Sequence, residues 1–306
     1  MNPALNILRL IARFGRASLV LGLVAGFALP GIAAAMKPAL PYMVAFLVFV
    51  SALRIGARAA MGNLRQAGGN LRLVLTLQLA LPLIALLLLW LIGAPLAVSL
   101  AVILALSAPS ISGSPAFTVM LGHDPAPAMR LLSLGTALLP LTVLPVFWLA
   151  PGLGGAAEVI KAALRLTLVI ALCVACAFTL RRRFFPNPAA ATIQALDGLA
   201  ALTLAVIVIG LMSAVGPTLR SNPSSLIFWL ALAFALNFGA QFVAYLILKS
   251  RPDAVPVSVI AGNRNIALFL VGLPASITDP VLIFIGCYQV PMYLTPLLMR
   301  QFYAHG

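Results

Sequence analysis

Charged side chains are scarce in this chain of 306 residues. Asp, Glu, Lys and Arg together make up 8% of the sequence, whereas hydrophobic residues make up 63%. A soluble globular domain has about 25% charged residues, so this composition excludes an ordinary water-soluble fold. Most of the chain is therefore expected to lie in a lipid bilayer.

Acidic residues number only five, against 19 Lys and Arg. The net charge of +14 does not predict nucleic-acid binding, because the basic residues are scattered between apolar runs and aromatic residues do not interleave with them. The acids and the two histidines do not cluster, and no metalloprotease or nucleophile motif is present. We therefore expect no enzyme activity, no metal site and no other cofactor.

Two short motifs of small residues are assigned to helix packing. Cys173 and Cys176 form a C-x-x-C within an apolar run that has no strand beside it, which favours packing over redox or metal chemistry. Gly22 and Gly26 form a G-x-x-x-G, which allows a second helix to approach closely. Neither motif predicts an oligomeric state.

Long apolar runs follow one another along the whole chain. A spanning helix needs about 20 mostly apolar residues. Since only short connections separate the runs, we predict an all-α membrane protein with one integral membrane domain over residues 1–306. Ten segments meet the required length: 17–35, 38–55, 71–93, 96–121, 127–150, 159–181, 193–216, 225–249, 254–274 and 278–302.

Lysine and arginine are distributed unevenly between the two ends of these segments. Fourteen lie on one side, four lie on the other, and Arg264 lies within a segment. Because cytoplasmic connections carry the excess of Lys and Arg, we predict a multi-pass protein of the inner (plasma) membrane with both termini in the cytoplasm. The basic N-terminus resembles that of a signal peptide, but the apolar run after it recurs throughout the chain, which favours a first transmembrane helix.

The two halves of the chain carry the same features at matching places. The fifth segment has Pro140 and Pro145 five residues apart, and the tenth has Pro291 and Pro296 at the same spacing. The fourth segment is interrupted at residues 108–115, and the ninth is interrupted at residues 261–265. Interrupted segments at matching positions of two inverted halves are typical of a transporter binding site. We predict inverted repeats over residues 17–150 and 159–302.

Arg264 lies at the middle of a predicted span, far from either end of it. A cation at the bilayer centre costs about 2.5–3.5 kcal/mol on insertion scales, so it is kept where it meets a partner or a water-filled cavity. Its planar fork suits a carboxylate, which predicts contact with an anionic substrate. Alternatively, the guanidinium takes the place of a bound sodium ion and holds the broken helix ends together through their carbonyls. The sequence leaves both roles open.

These stretches resemble a known family. Residues 107–145 resemble the fourth and fifth helices of the bile acid:sodium symporter family, and residues 261–265 resemble its ninth-helix motif, in which glycine and asparagine flank a glutamine. The resemblance covers the whole chain by topology and is specific in these two stretches. It implies crossed fourth and ninth helices, and a core and a panel domain that move against each other around an organic-anion site.

Several positions depart from the pattern of that family. Its sodium-coupled members have a glutamate at the position of Ile260, a glutamine at that of Arg264 and an asparagine at that of Pro115. They also use a third-helix glutamine. Gln78 lies near that place, but its spacing to Pro82 is one residue short. These departures imply that sodium is not coupled by the usual route of the family.

The predicted function is a secondary transporter that moves a small organic anion by alternating access. A proton or an exchanged anion would be the further partner. The alternatives are a sodium-coupled organic-anion symporter of the same family and an arsenite-type efflux carrier, although such carriers use a fourth-helix cysteine and residues 107–120 contain none. The predicted substrate site consists of Ser110, Ser112, Ser114, Asn263, Arg264 and Asn265, with Gln78, Thr118 and Asp197 as weaker candidates.

Four of the five acids are predicted to have simple roles at helix ends, and Asp197 is the exception. Asp124, Asp253 and Asp279 fit helix N-caps, and Glu158 fits a first helical turn. Asp197 lies one turn into the seventh segment, on the same side as a run of three arginines. It is predicted either to form an interfacial ion pair or to bind a transported proton.

Overall fold

The computed structural model describes residues 3–58, residue 60 and residues 68–304, with side chains except at 3, 4, 16 and 17. These residues form helices, and the strand-like pairing among them is one isolated bridge. The all-α prediction is therefore confirmed for the described part of the chain.

The first half contains nine helices within the described residues. They are α1 (Pro3–Arg13), α2 (Gly15–Ala28), α3 (Pro30–Met36), α4 (Leu40–Ile55), α5 (Gly68–Leu75), α6 (Leu81–Leu91), α7 (Leu96–Ser107), α8 (Ser114–Met120) and α9 (Ala126–Leu149). A 3₁₀ turn at Lys37–Ala39 joins α3 to α4, and a π turn at Thr76–Ala80 joins α5 to α6.

The second half contains eight helices within the described residues. They are α10 (Ala156–Phe184), α11 (Ala190–Leu211), α12 (Val215–Ser221), α13 (Pro223–Leu248), α14 (Ala254–Gly262), α15 (Phe269–Gly272), α16 (Ala275–Thr278) and α17 (Leu282–Ala304). Short 3₁₀ turns at Ile266–Leu268 and Asp279–Val281 precede α15 and α17.

Seven helical stretches of the described residues are long and apolar enough to cross a membrane, or eight if α1 and α2 are counted together as one bent span. The chain is therefore that of a multi-pass membrane protein. The predicted fourth and ninth segments are divided into pieces too short to reach this length. The arrangement of ten spans in two inverted repeats stays a prediction.

The first two predicted segments have a different boundary in the structure. Residues 30–55 form a single apolar stretch of 26 residues, where a break near residue 36 was predicted. The break lies at Leu29 instead, because Pro30 suits a first helical position and Leu29 has non-helical angles. Pro38 is tolerated in the 3₁₀ turn because it occupies one of the first positions of that turn.

The interrupted helices lie at the centre of the bundle. Every residue of α14 is buried, and so is every residue of α7 from Ser99 to Ser107. By contrast, α6 and α10 present large apolar side chains outward, including Trp90 at 76% exposure and Leu164 at 64%. This arrangement is expected of a bundle whose outer helices face lipid.

The G-x-x-x-G motif of α2 packs closely against α11, as predicted for this motif. A Cβ atom added to Gly22 would lie 2.6 Å from the carbonyl oxygen of Ala205, and one added to Gly26 would lie 2.9 Å from that of Ile209. The motif therefore joins two helices of the same chain.

The acids at helix ends only partly follow the predictions. The Asp124 carboxylate accepts the Ala126 N–H at 3.0 Å, as a cap would. Asp253 occupies the N-cap position of α14 as predicted, but its side chain makes no cap bond. Asp279 follows the N-cap residue Thr278, so its predicted position was wrong by one residue. Asp253 instead pairs with Arg251 and Asp279 with Lys37, each at 2.8 Å. A nearby cation competes with the backbone for the carboxylate.

Candidate functional site: the crossing of two broken helices

The two interrupted helices meet at their breaks. α7 ends at Ser107 and α8 begins at Ser114, while α14 ends at Gly262 before the 3₁₀ turn at Ile266. In the two gaps, Ser110 and Arg264 form an antiparallel bridge. The Ile111 N–H donates to the Asn263 carbonyl at 3.0 Å, and the Asn265 N–H donates to the Pro109 carbonyl at 2.7 Å. Each break thereby satisfies backbone groups of the other.

Local sequence explains where each helix breaks. Pro109 lacks an N–H and disfavours a helical conformation at Ala108, which is extended with ψ of 147°. In the second break, Gly262 packs against α13 so closely that an added Cβ would lie 2.2 Å from the Asn237 carbonyl oxygen. A glycine is therefore required for α14 to end beside α13.

Arg264 is buried at the crossing, with 1% of its surface exposed. Its Nε donates to the Ala261 carbonyl at 2.8 Å, Nη1 to the Ala108 carbonyl at 3.1 Å, and Nη2 to the Leu77 carbonyl at 3.0 Å. None of the ion pairs among the described residues includes it. The guanidinium is thus held by three backbone carbonyls from three separate chain segments.

Each of these carbonyls has lost its usual helical partner. In the π turn the Leu81 N–H bonds to the Thr76 carbonyl, and the next residue is Pro82, which has no N–H to offer Leu77. Ala108 lies in the extended break. The N–H of Asn265, four residues after Ala261, bonds across the crossing to Pro109. The negative ends of α7 and α14 also point toward the same cation.

A buried polar network lies behind the second break. The Gly262 carbonyl accepts the Tyr288 hydroxyl at 2.6 Å and the Asn237 amide at 2.7 Å. The Gln241 amide donates to the Asn237 side-chain oxygen at 2.7 Å and to the Thr295 hydroxyl at 3.0 Å. Thr295 in turn donates to the Asn263 side chain at 3.1 Å. We call this set the back face of the crossing, and it joins α14 to α13 and α17.

The predicted site did not include Asn237, Gln241 or Tyr288. A signal for the two amides was present, because Asn237 and Gln241 lie four residues apart in an otherwise apolar run. Polar side chains within a span turn toward the bundle interior, and this spacing places them on one helix face.

The opposite side of the crossing, which we call the front face, borders a cavity of about 170 Å³. One wall consists of α9 and the two breaks, and the other consists of α4 and α10. The lining residues are Val48, Ser51, Ala52, Ile55, Ala60, Ser110, Ser112, Leu132, Ser133, Thr136, Ala137, Ile170, Val174, Phe178, Asn265 and Leu268.

The structure divides the six predicted site residues between cavity and interior. Ser110, Ser112 and Asn265 line the cavity. Ser114, Asn263 and Arg264 are instead buried, with 0%, 0% and 1% exposure, and none of them lines it.

The front face is connected to the buried residues by hydroxyl groups. Ser110 donates to the Asn263 carbonyl at 2.8 Å and lies 2.7 Å from the Ser114 hydroxyl. The Ser51 hydroxyl donates to that of Ser112 at 2.9 Å, which joins α4 to the first break. The Ser110–Ser114 pair extends from the cavity wall into the crossing, whereas the Ser51–Ser112 pair lies on the front face.

The three weaker candidates lie outside the cavity lining. Thr118 is fully buried and donates to the Ser114 carbonyl at 3.0 Å. Gln78 is buried next to the Leu77 carbonyl, and its side-chain oxygen has no hydrogen-bond partner. Asp197 forms an ion pair with Arg54, between α11 and α4, and not with the run of three arginines. Its carboxylate is 38% exposed, as in an interfacial pair.

No protein-family model and no curated protein matches the chain.

Proposed function

We propose that this chain is a secondary transporter that moves a small organic anion by alternating access at the crossing of α7–α8 with α14–α15. The observation that carries the proposal is the buried guanidinium of Arg264, which lies among carbonyls immediately behind a cavity lined by side chains of the same two breaks. Irregular backbone at membrane depth is tolerated where it lines such a cavity, and it is typical of carriers.

An inverted-repeat architecture of ten spans is part of the proposal. Both breaks are followed by a helix with two internal prolines, Pro140 and Pro145 in α9 and Pro291 and Pro296 in α17. A buried threonine lies between the two prolines of each helix, Thr142 in α9 and Thr295 in α17. Matching proline pairs that follow matching breaks support two repeats of one ancestral unit.

The electrostatics of the cavity favour an anion. The described lining residues carry no charge, and their polar groups are five hydroxyls, from four serines and Thr136, and the side-chain amide of Asn265. Arg264 has carbonyl partners but no carboxylate partner, so its positive charge is not cancelled by an ion pair. A low-dielectric surrounding screens that charge less than water would. The small volume favours a compact substrate.

Alternating access would use the two cavity walls as the moving parts. α4 and α10 line the cavity, and α10 also packs against α15 at Gly272, so a shift of these two helices relative to the crossing would close one opening and create another. The cavity extends along Ile55 and Phe178 toward the end of the bundle that carries Arg54 and Arg181. Under the predicted orientation, this end is cytoplasmic.

Sodium independence follows if the guanidinium takes the place of a coupling cation. Arginine keeps its positive charge at accessible pH, and it is covalently attached. Three carbonyls that could otherwise coordinate a metal ion are occupied by N–H donors. The proposed carrier is therefore a uniporter, an exchanger or a proton-coupled carrier.

Ligand-induced thermal stabilisation of the purified protein tests the proposal. A ligand that binds the native state raises the melting temperature by mass action. We expect one class of small carboxylates to stabilise the protein equally in sodium and in N-methylglucamine buffers. Ser112→Ala should reduce this stabilisation, because Ser112 lines the cavity. The same anion should then enter liposomes that contain the protein.

The matched control is Ser276→Ala, which removes an exposed hydroxyl on α16. It should leave the stabilisation unchanged. If no carboxylate, phosphate or sulfonate stabilises the protein, the anion-carrier proposal is wrong. If stabilisation requires sodium, the sodium-coupled alternative is correct instead.

A further inference from the structure

The N-terminal helix α1 lies across the direction of the helix that follows it. The axis turns by 87° between residues 5–13 and 18–28. α2 packs along α11 through Gly22 and Gly26, and α11 belongs to a 32-residue apolar stretch long enough to span a membrane. α2 packs alongside a helix that can span the membrane. Since α1 is nearly perpendicular to α2, we expect α1 to lie in the plane of the membrane.

α1 is fixed to the first half of α11 by a close contact. A Cβ atom added to Gly198 would lie 1.8 Å from the Leu8 carbonyl oxygen, so the two backbones touch there. Beside this point, the Arg9 Nε donates to the Gln194 side chain at 3.2 Å. The helix is therefore held at a defined depth, beside the Asp197–Arg54 ion pair.

The apolar side chains of α1 do not all turn toward the protein. Ile7, Leu10 and Phe14, the residue directly after α1, are spaced by three and four residues, so they share one face, and they are 59%, 54% and 60% exposed. Asn6, Arg9 and Arg13 have the same spacing and form an adjacent polar stripe. A third stripe, which includes Leu8 and Ala12, is half-buried against the protein.

We propose that α1 is an interfacial helix that binds anionic lipid headgroups. Its apolar stripe would lie at the acyl boundary, and Arg9 and Arg13 would contact lipid phosphates. Helices with adjacent apolar and basic stripes bind in this way, flat in the interface and attracted to anionic lipids. Charge complementarity selects the lipid, because under the predicted orientation this end of the bundle carries 14 of the 19 Lys and Arg against three acids, Asp124, Asp197 and Asp253. The inference is independent of any transport activity.

Tryptophan quenching in lipid nanodiscs tests the placement of α1. Leu10→Trp puts an indole on the apolar stripe, and Asn6→Trp puts one on the polar stripe. The emission of the added tryptophan is obtained by subtracting the emission of the unmodified protein. In Leu10→Trp it should be quenched by lipids brominated near the middle of the acyl chain. In Asn6→Trp it should be quenched by aqueous iodide. Iodide quenching of Leu10→Trp, or protection from both quenchers as in a contact between copies, would overturn the proposal.

Lipid selectivity tests the role of the charge. Spin-labelled phosphatidylglycerol should be retained by the protein in preference to phosphatidylcholine, and Arg13→Gln should reduce this preference about fivefold at low salt. High salt should abolish the difference, because exposed charges are screened. The control is Lys161→Gln, which changes an exposed residue near the start of α10, at the other end of the bundle from α1. It should leave the lipid preference unchanged. Unchanged selectivity in Arg13→Gln would show that the headgroup contact does not exist.

Discussion

The two faces of the crossing differ in how their polar groups are satisfied. On the back face, Asn237, Gln241 and Thr295 are each 0% exposed and bond to one another or to the second break. On the front face, Ser112 is exposed to the cavity and its hydroxyl is bonded to one other hydroxyl. Between the two faces lies Arg264, which bonds to backbone alone.

This difference separates the part of the site that holds its shape from the part that can exchange partners. A buried polar network with every member bonded rigidifies its surroundings, since any loss leaves an unpaired group. A hydroxyl at a cavity wall can exchange its partner for water or a ligand at little cost. We therefore expect changes to the back face to alter stability and changes to the front face to alter binding.

Arg264→Ala should have the largest effect. It leaves three buried carbonyls without a donor, and an unsatisfied buried group costs about 1–3 kcal/mol. We expect a loss of at least about 3 kcal/mol in the free energy of unfolding, measured by thermal or denaturant unfolding in detergent. Guanidinium ion at millimolar concentration should restore part of the melting temperature, because it can re-enter the same three contacts. Arg264→Lys should be intermediate, since an ammonium cannot reproduce the planar fork.

An exposed arginine provides the control for this change. Arg165→Ala on α10 removes a cation at the surface and should alter stability by less than about 0.5 kcal/mol. If Arg264→Ala unfolds at the same temperature as the unmodified protein, the guanidinium does not hold the breaks together.

Gly262→Ala should have the second-largest effect. The added methyl would lie 2.2 Å from the Asn237 carbonyl oxygen and 2.4 Å from Gln241 Cγ, so α14 must move away from α13. Overpacking of this kind costs about 1–3 kcal/mol. Gly239→Ala on α13 is the matched change, because nothing lies within 4 Å of its added Cβ. It should be neutral or stabilising by up to about 1 kcal/mol, and similar melting temperatures for both variants would contradict the close packing.

Tyr288→Phe should have the smallest effect of the three. It removes the hydroxyl bond to the Gly262 carbonyl, which keeps the bond from Asn237. The expected loss is about 1 kcal/mol, the usual contribution of one hydrogen bond. Anion-induced stabilisation should be unchanged, whereas Ser112→Ala should have the reverse pattern. An equal loss of anion binding in both variants would remove the distinction between the two faces.

The positions of both breaks could be predicted because they depend on local chemistry. Pro109 and Pro115 interrupt hydrogen bonding wherever they occur in a helix, and Gly262 with its neighbouring asparagines is unfavourable within a lipid-facing span. Arg264 could be selected for the same reason, since its charge has a cost that does not depend on the fold. These inferences required no knowledge of distant contacts.

The partners of Arg264 could not be predicted, because they come from distant segments. The Leu77 carbonyl reaches it from the π turn before Pro82, at a separation of 187 residues. Which side of the crossing faces the cavity likewise depends on how α4 and α10 pack. For this reason the sequence could name six polar residues but could not divide them between the interior and the front face.

The permanent attachment of the guanidinium has an energetic consequence under the proposed function. A cation that belongs to the protein is not released on either side, so no sodium gradient does work on the substrate. For a uniported monovalent anion, the membrane voltage then sets the direction. It contributes about 2.3 kcal/mol per charge for each 100 mV, or about a fiftyfold concentration ratio. In a cell with a negative interior, such a carrier would favour export.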